Sequence, residues 1–223
     1  MTWAPGLEFR RLDDFVQALG VRSRRPPGAR ALLLCILIAG PIYGAIMGSY
    51  AFDSGPDRAL MVLYAAVKMP ILIGMTSVLC LPGFFVLTTV LGLRDDLVRS
   101  LRAILTGQAA LVLALASLGP VTRLVYSSGI GHNHAILFNA AMFSVAAALS
   151  QVVLWRRYRE LIRENARHRV MLWGWLVAYA FVGIQMGWML RPFVGTPGAP
   201  VTFFRQEPFS NAYEVVARLI AGG

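Results

Sequence analysis

The chain has 223 residues, of which 57% are hydrophobic and only 14% charged, and its mean hydropathy is +0.61. That composition excludes an ordinary water-soluble domain. The net charge of +10 would suit nucleic acid in a soluble protein, but here the arginines cluster beside apolar runs. They read as a topology signal and as contacts for anionic lipid headgroups, and nucleic acid is not expected as a partner.

Residues 1–30 form a basic amino-terminal segment. Phe9, Leu12, Phe15, Val16 and Leu19 recur at helical spacing. They predict an amphipathic helix lying on a membrane surface or docked on another protein domain. Its apolar run starts too late for a signal peptide, so the first span is expected to be retained. The transmembrane domain is expected over 31–191, as an all-α bundle of about five spans. The first covers 31–51, and Asp53, Gly55, Pro56 and Asp57 then make a turn.

The second apolar segment, 59–93, measures about 50 Å as a helix, more than one bilayer core. It crosses either once or twice, with Pro70 and Pro82-Gly83 as candidate breaks. Further spans are predicted at 103–126, 135–155 and 170–190. Arg94, Arg99 and Arg102 precede the third. Arg156, Arg157, Arg159, Arg163, Arg167 and Arg169 lie between the fourth and fifth, as candidate lipid-headgroup contacts.

A single crossing by 59–93 puts 15 Arg on the side of the amino terminus and five on the other. That partition follows the positive-inside rule. It favours five spans, an amino terminus in the cytoplasm and a carboxyl terminus in the periplasm of a bacterial inner membrane. The excess length near Cys80 to Leu93 is then expected to bend at Pro82-Gly83 and lie at the inner interface. Trp155, Trp173 and Trp175 fall near the inner boundary and Trp188 near the outer one, where amphipathic rings settle.

Gly40, Gly44 and Gly48, and again Gly183 and Gly187, repeat at four-residue spacing. Such faces let helices approach closely, within the chain or toward another subunit or a second copy. Lys68, the sole lysine, lies inside an apolar segment without an acid in any span. It is either a deep functional cation or a shallow one that snorkels to the surface. Gln185, rotated off the Gly183/Gly187 face, and Arg191, at the end of the last span, join it as candidate functional residues. Gln108, Asn139 and Gln151 are expected to bond between helices.

His132 and His134 are weak metal candidates, since no Cys or acidic cluster accompanies them. A solvated or capping turn is the expected role. Cys35 and Cys80 sit in apolar runs and predict neither disulfide nor zinc. No phosphate loop, nucleophile elbow or zincin motif occurs, so no catalysis and no cofactor are expected. The segment 192–223 carries Pro192, Pro197, Pro200 and Pro208 among phenylalanines, which predicts an ordered extended stretch. Asn211 and Glu214 then open a short surface helix with Tyr213, Val216, Leu219 and Ile220 on one face.

The stretch from Lys68-Met69-Pro70 to Cys80-Leu81-Pro82, followed by Leu91-Gly92, resembles the middle of Yip1-type membrane proteins. The stretch from Gly183 to Trp188 through Arg191-Pro192-Phe193 resembles uncharacterised bacterial inner-membrane proteins. Either resemblance implies a multi-span helical protein with a trafficking, scaffold or accessory role. The expectation is therefore a non-catalytic membrane subunit that binds lipids and other membrane proteins. The alternative is a small transporter or channel for an anionic or lipid-like solute that uses Lys68.

Overall fold

A computed structural model describes residues 28–54, 58–196, 198 and 200–204. The expected surface helices near residues 7–19 and 211–220 lie outside the described residues. Among the described residues, five helices are long and apolar enough to cross a membrane. They are α1 (Ala29–Gly48), α2 (Arg58–Val90), α3 (Leu97–Ser127), α4 (His132–Glu164) and α5 (Arg167–Met189). Short 3-10 turns at Ser49–Ser54 and Arg94–Asp96 join the first three. The helices alternate in direction, so the arginine-rich turns gather at one end of the bundle and the described residues from 190 to 204 at the other.

Residues 58–90 form one helix, without a break at either candidate position. α2 runs unbroken through Pro70 and Pro82. Each proline removes one backbone donor, but unwinding the chain in lipid would strand several polar groups at once. Side chains also bond to the backbone along this helix. Ser77 Oγ donates to the Ile73 carbonyl at 2.6 Å, and Thr88 and Thr89 both donate to Phe85. The excess length is continuous helix of about 50 Å, longer than one bilayer core.

The arginine block differs from a loop in the same way. α4 continues to Glu164 and α5 begins at Arg167, leaving only a two-residue connection. Arg156, Arg159 and Arg163 are exposed on the helical extension, Arg157 is half-buried, and Arg167 and Arg169 are exposed on the first turn of α5. The run from 156 to 164 contains Arg, Glu, Leu and Ile with no Gly or Pro, so nothing in it stops the helix.

α1 stands at the back, packed on both α2 and α3. α5 packs on α2, and α4 packs on α3, whereas α2 meets α3, and α4 meets α5, only sparingly. The result is two wings, α2 with α5 and α3 with α4, hinged on α1. Leu33, Leu37 and Ile38 of α1, Val78 and Val86 of α2, and Leu137 and Leu149 of α4 face outward, as lipid-facing positions should.

Candidate ligand cleft between the two wings

The back wall is set by glycine. A Cβ on Gly44 would run into the backbone of Ala65 and lie 2.8 Å from Ala66 Cα, and one on Gly48 would lie 2.7 Å from Val62 Cα. These two residues let α1 touch the backbone of α2, so this part of the face is filled within the chain. Gly40 makes ordinary contact with Pro70. Asn139 fastens the α4 wing to α1 and α3. Its Oδ1 accepts from Tyr43 Oη at 3.1 Å, and its Nδ2 donates to Tyr126 Oη and to the Ala135 carbonyl.

At the arginine-rich end the wings close. Phe84, Ile104, Leu154, Tyr158, Leu172 and Trp175 form one buried cluster drawn from α2, α3, α4 and α5. Trp175 is 4% exposed, so it is a core residue there, while Trp155 and Trp173 pair edge-to-face on the outside of the same end. Arg99 grips Glu164 through two bonds of 2.6 and 2.7 Å. His168, fully buried, places Nε2 3.2 Å from Asp96 Oδ2.

Toward the other end α4 and α5 separate. A cavity of about 1000 Å³ opens there, lined by α2, α4, α5 and the segment after α5. A second chamber of about 350 Å³ lies deeper. The two share Leu72, Phe143, Gly183 and Ile184, so they form one cleft. Ile184 is 57% exposed at its mouth, which places the side opening between α4 and α5, toward lipid.

The described residues from 191 to 202 fold back to line the outer chamber. Val194 is buried among Tyr43, Met47, Met69 and Leu115. Lys68 is wholly buried, and its Nζ donates to the Pro192 carbonyl at 2.8 Å. It also lies 4.9 Å from the Phe203 ring centroid and 5.9 Å from that of Phe193, both cation–π distances. Lys68 is therefore enclosed by protein and ties the chain at Pro192 to α2. Thr196 Oγ1 lies 3.3 Å from His132 Nε2, and Phe203 packs edge-on against Tyr64. After 192 the described residues form neither helix nor strand; the chain bends at 193–194 and 203–204 and turns at Gly198.

The remaining candidates divide clearly. Arg191 lines the outer chamber, with its guanidinium 3.2 Å from the Trp188 ring centroid and Nε donating to the Trp188 carbonyl. Gly183 and Gly187 line the same chamber; Gly183 faces Thr76, and nothing stands within 4 Å of a Cβ on Gly187. Gln185 is half-buried on α5 and is absent from both linings. His132 sits on the cleft rim, while His134 is exposed. Among the described residues, no three His, Cys, Asp or Glu side chains converge as a metal site. Cys35 and Cys80 are free thiols. Gln108 donates to Ser77 Oγ at 2.7 Å, the expected interhelical bond.

Arg58 is the residue that sequence reasoning passed over. It begins α2, lines the outer chamber and is 7% exposed. No hydrogen-bond or ion-pair partner faces it among the described residues. A buried guanidinium without an acid is costly unless something anionic or water meets it. Among the described residues, the lining of the chamber includes Arg58, Arg191 and His132 but no Asp or Glu. The sequence signal was available, because Arg58 stands at the first turn of an apolar helix, but its inward direction depends on contacts distant in the chain. No family model, curated protein or solved structure matches this chain.

Proposed function

We propose that this chain is a non-catalytic integral membrane protein that takes an anionic, lipid-like amphiphile sideways from the bilayer into its cleft. The charged group sits against Arg58 beneath the carboxyl segment, and the chain runs out between α4 and α5. The observation that carries this reading is the buried Arg58, unpartnered among the described residues, at the head of a largely apolar cleft that opens toward lipid. Such a pocket matches a molecule with one anionic end and one apolar end. Gly44 and Gly48 are filled by α2, which leaves that stretch of α1 no open glycine face for a partner subunit. By the positive-inside rule the arginine-rich end faces the cytoplasm and the cleft opens on the periplasmic half of a bacterial inner membrane.

The test is native mass spectrometry of the full chain released from nanodiscs of mixed phosphatidylglycerol and phosphatidylcholine. One retained phosphatidylglycerol per chain is expected, with at least tenfold loss in Arg58→Gln. Equal retention of the two lipids, unchanged in the variant, would overturn the reading.

A further inference from the structure

The cleft is long for a lipid site. Along α2 its lining runs from Arg58 to Thr76, and along α4 from His132 to Leu154. Those stretches are about 27 and 33 Å of helix. A bilayer core is about 30 Å thick, so the tails of one leaflet reach only about 15 Å. The cleft is therefore about twice as long as an ordinary phospholipid tail. A phosphatidylglycerol anchored at Arg58 occupies the outer chamber and stops short of the deeper one.

The two chambers suit the two ends of one molecule. Arg58 lines the outer chamber, 7% exposed and without a partner among the described residues. Among the described residues, no charged side chain lines the deeper chamber. Its far end is blind, because Ile104, Leu154 and Trp175 there belong to the buried cluster that closes the arginine-rich end. Ala147 on α4 and Ala180 and Gly183 on α5 keep it open between the wings. The chambers join between Leu72, Phe143, Gly183 and Ile184, a passage for one hydrocarbon chain and not for a pair. An empty apolar chamber forfeits dispersion contacts along its walls, and a chain long enough to enter restores them.

We propose that the occupant of the cleft is a single-chain phosphate whose hydrocarbon is about twice the length of one leaflet's tails, the chemistry of a polyprenyl phosphate. The phosphate meets Arg58, and the far end of the chain enters the deeper chamber and stops at Trp175. This rests on the anion position proposed above and adds a measure of chain length to it.

The experiment places the full chain in phosphatidylcholine nanodiscs that hold farnesyl phosphate or heptaprenyl phosphate at equal mole fraction. Native mass spectrometry then counts the molecules retained. The farnesyl chain is about as long as one leaflet's tails, and the heptaprenyl chain is more than twice the farnesyl length. Equal mole fraction in the bilayer removes partition from water as a cause of any difference. Heptaprenyl phosphate should be retained about tenfold better. Ala147→Phe and Ala180→Trp fill the deeper chamber from opposite wings. Each should abolish that advantage and leave farnesyl phosphate at its wild-type level, which also shows that the variant has folded. Arg58→Gln should lower retention of both phosphates about tenfold. Equal retention of the two lengths, each still dependent on Arg58, would overturn the long-chain inference and leave the anion position standing. Indifference of both to Arg58→Gln would remove the anion position and this inference with it.

Discussion

The two ends of this bundle use the same helices in opposite ways. At the arginine-rich end, large side chains from four helices fill the space between the wings, and Arg99, Glu164, Asp96 and His168 tie the turns together. At the other end, small residues line α5, and Gly183 and Gly187 leave the space open. The carboxyl segment, not a helix, enters that space, held by Lys68. Side-chain size along α4 and α5 thus decides where the bundle is solid and where it can receive a molecule. Packing supplies stability at one end, and its absence supplies a site at the other.

Glycine substitution breaks this contrast most strongly. Gly44→Leu drives a side chain into the α2 backbone and should cost about 3 kcal/mol or more. The same change at Gly187, where space is open, should leave stability within about 0.5 kcal/mol. Thermal unfolding in mild detergent compares the two, and equal losses would contradict the open cleft. Next comes Leu172→Ala in the filled end, which should cost about 2–4 kcal/mol through the cavity it leaves.

Lys68→Met should spare the helices and free the carboxyl segment, since it removes a charged hydrogen bond worth about 1.5–3 kcal/mol. A cysteine placed at Thr202 should then react with a maleimide about tenfold faster than in the Lys68 background. Unchanged protection would show that Lys68 is not the tie. The smallest effect belongs to Arg99→Ala. Its side chain is 51% exposed beside Glu164, so the loss should stay below about 1 kcal/mol and shrink in high salt.

Much of the architecture was legible in the sequence because spans announce themselves as uninterrupted apolar runs, and the arginine partition chose one crossing for α2. Pro82-Gly83 read as a candidate break, yet the helix continues to Val90, since unwinding in lipid would strand more backbone than one proline does. The cleft itself was not legible. It depends on which helices pair, and Lys68 meets Pro192 across 124 residues. Arg58 was one of five arginines on the outer side, and only its burial in the folded cleft singles it out.

The most direct measurement is photolabelling by a phosphatidylglycerol that carries a diazirine in its acyl chain, with the labelled peptides mapped by mass spectrometry. The account predicts label concentrated on the facing stretches of α4 and α5, around Ile136 to Phe143 and Gly183 to Gly187, and lost from both in Arg58→Gln. Label spread evenly over outward residues such as Leu33, Leu37 and Val78, indifferent to Arg58, would contradict it.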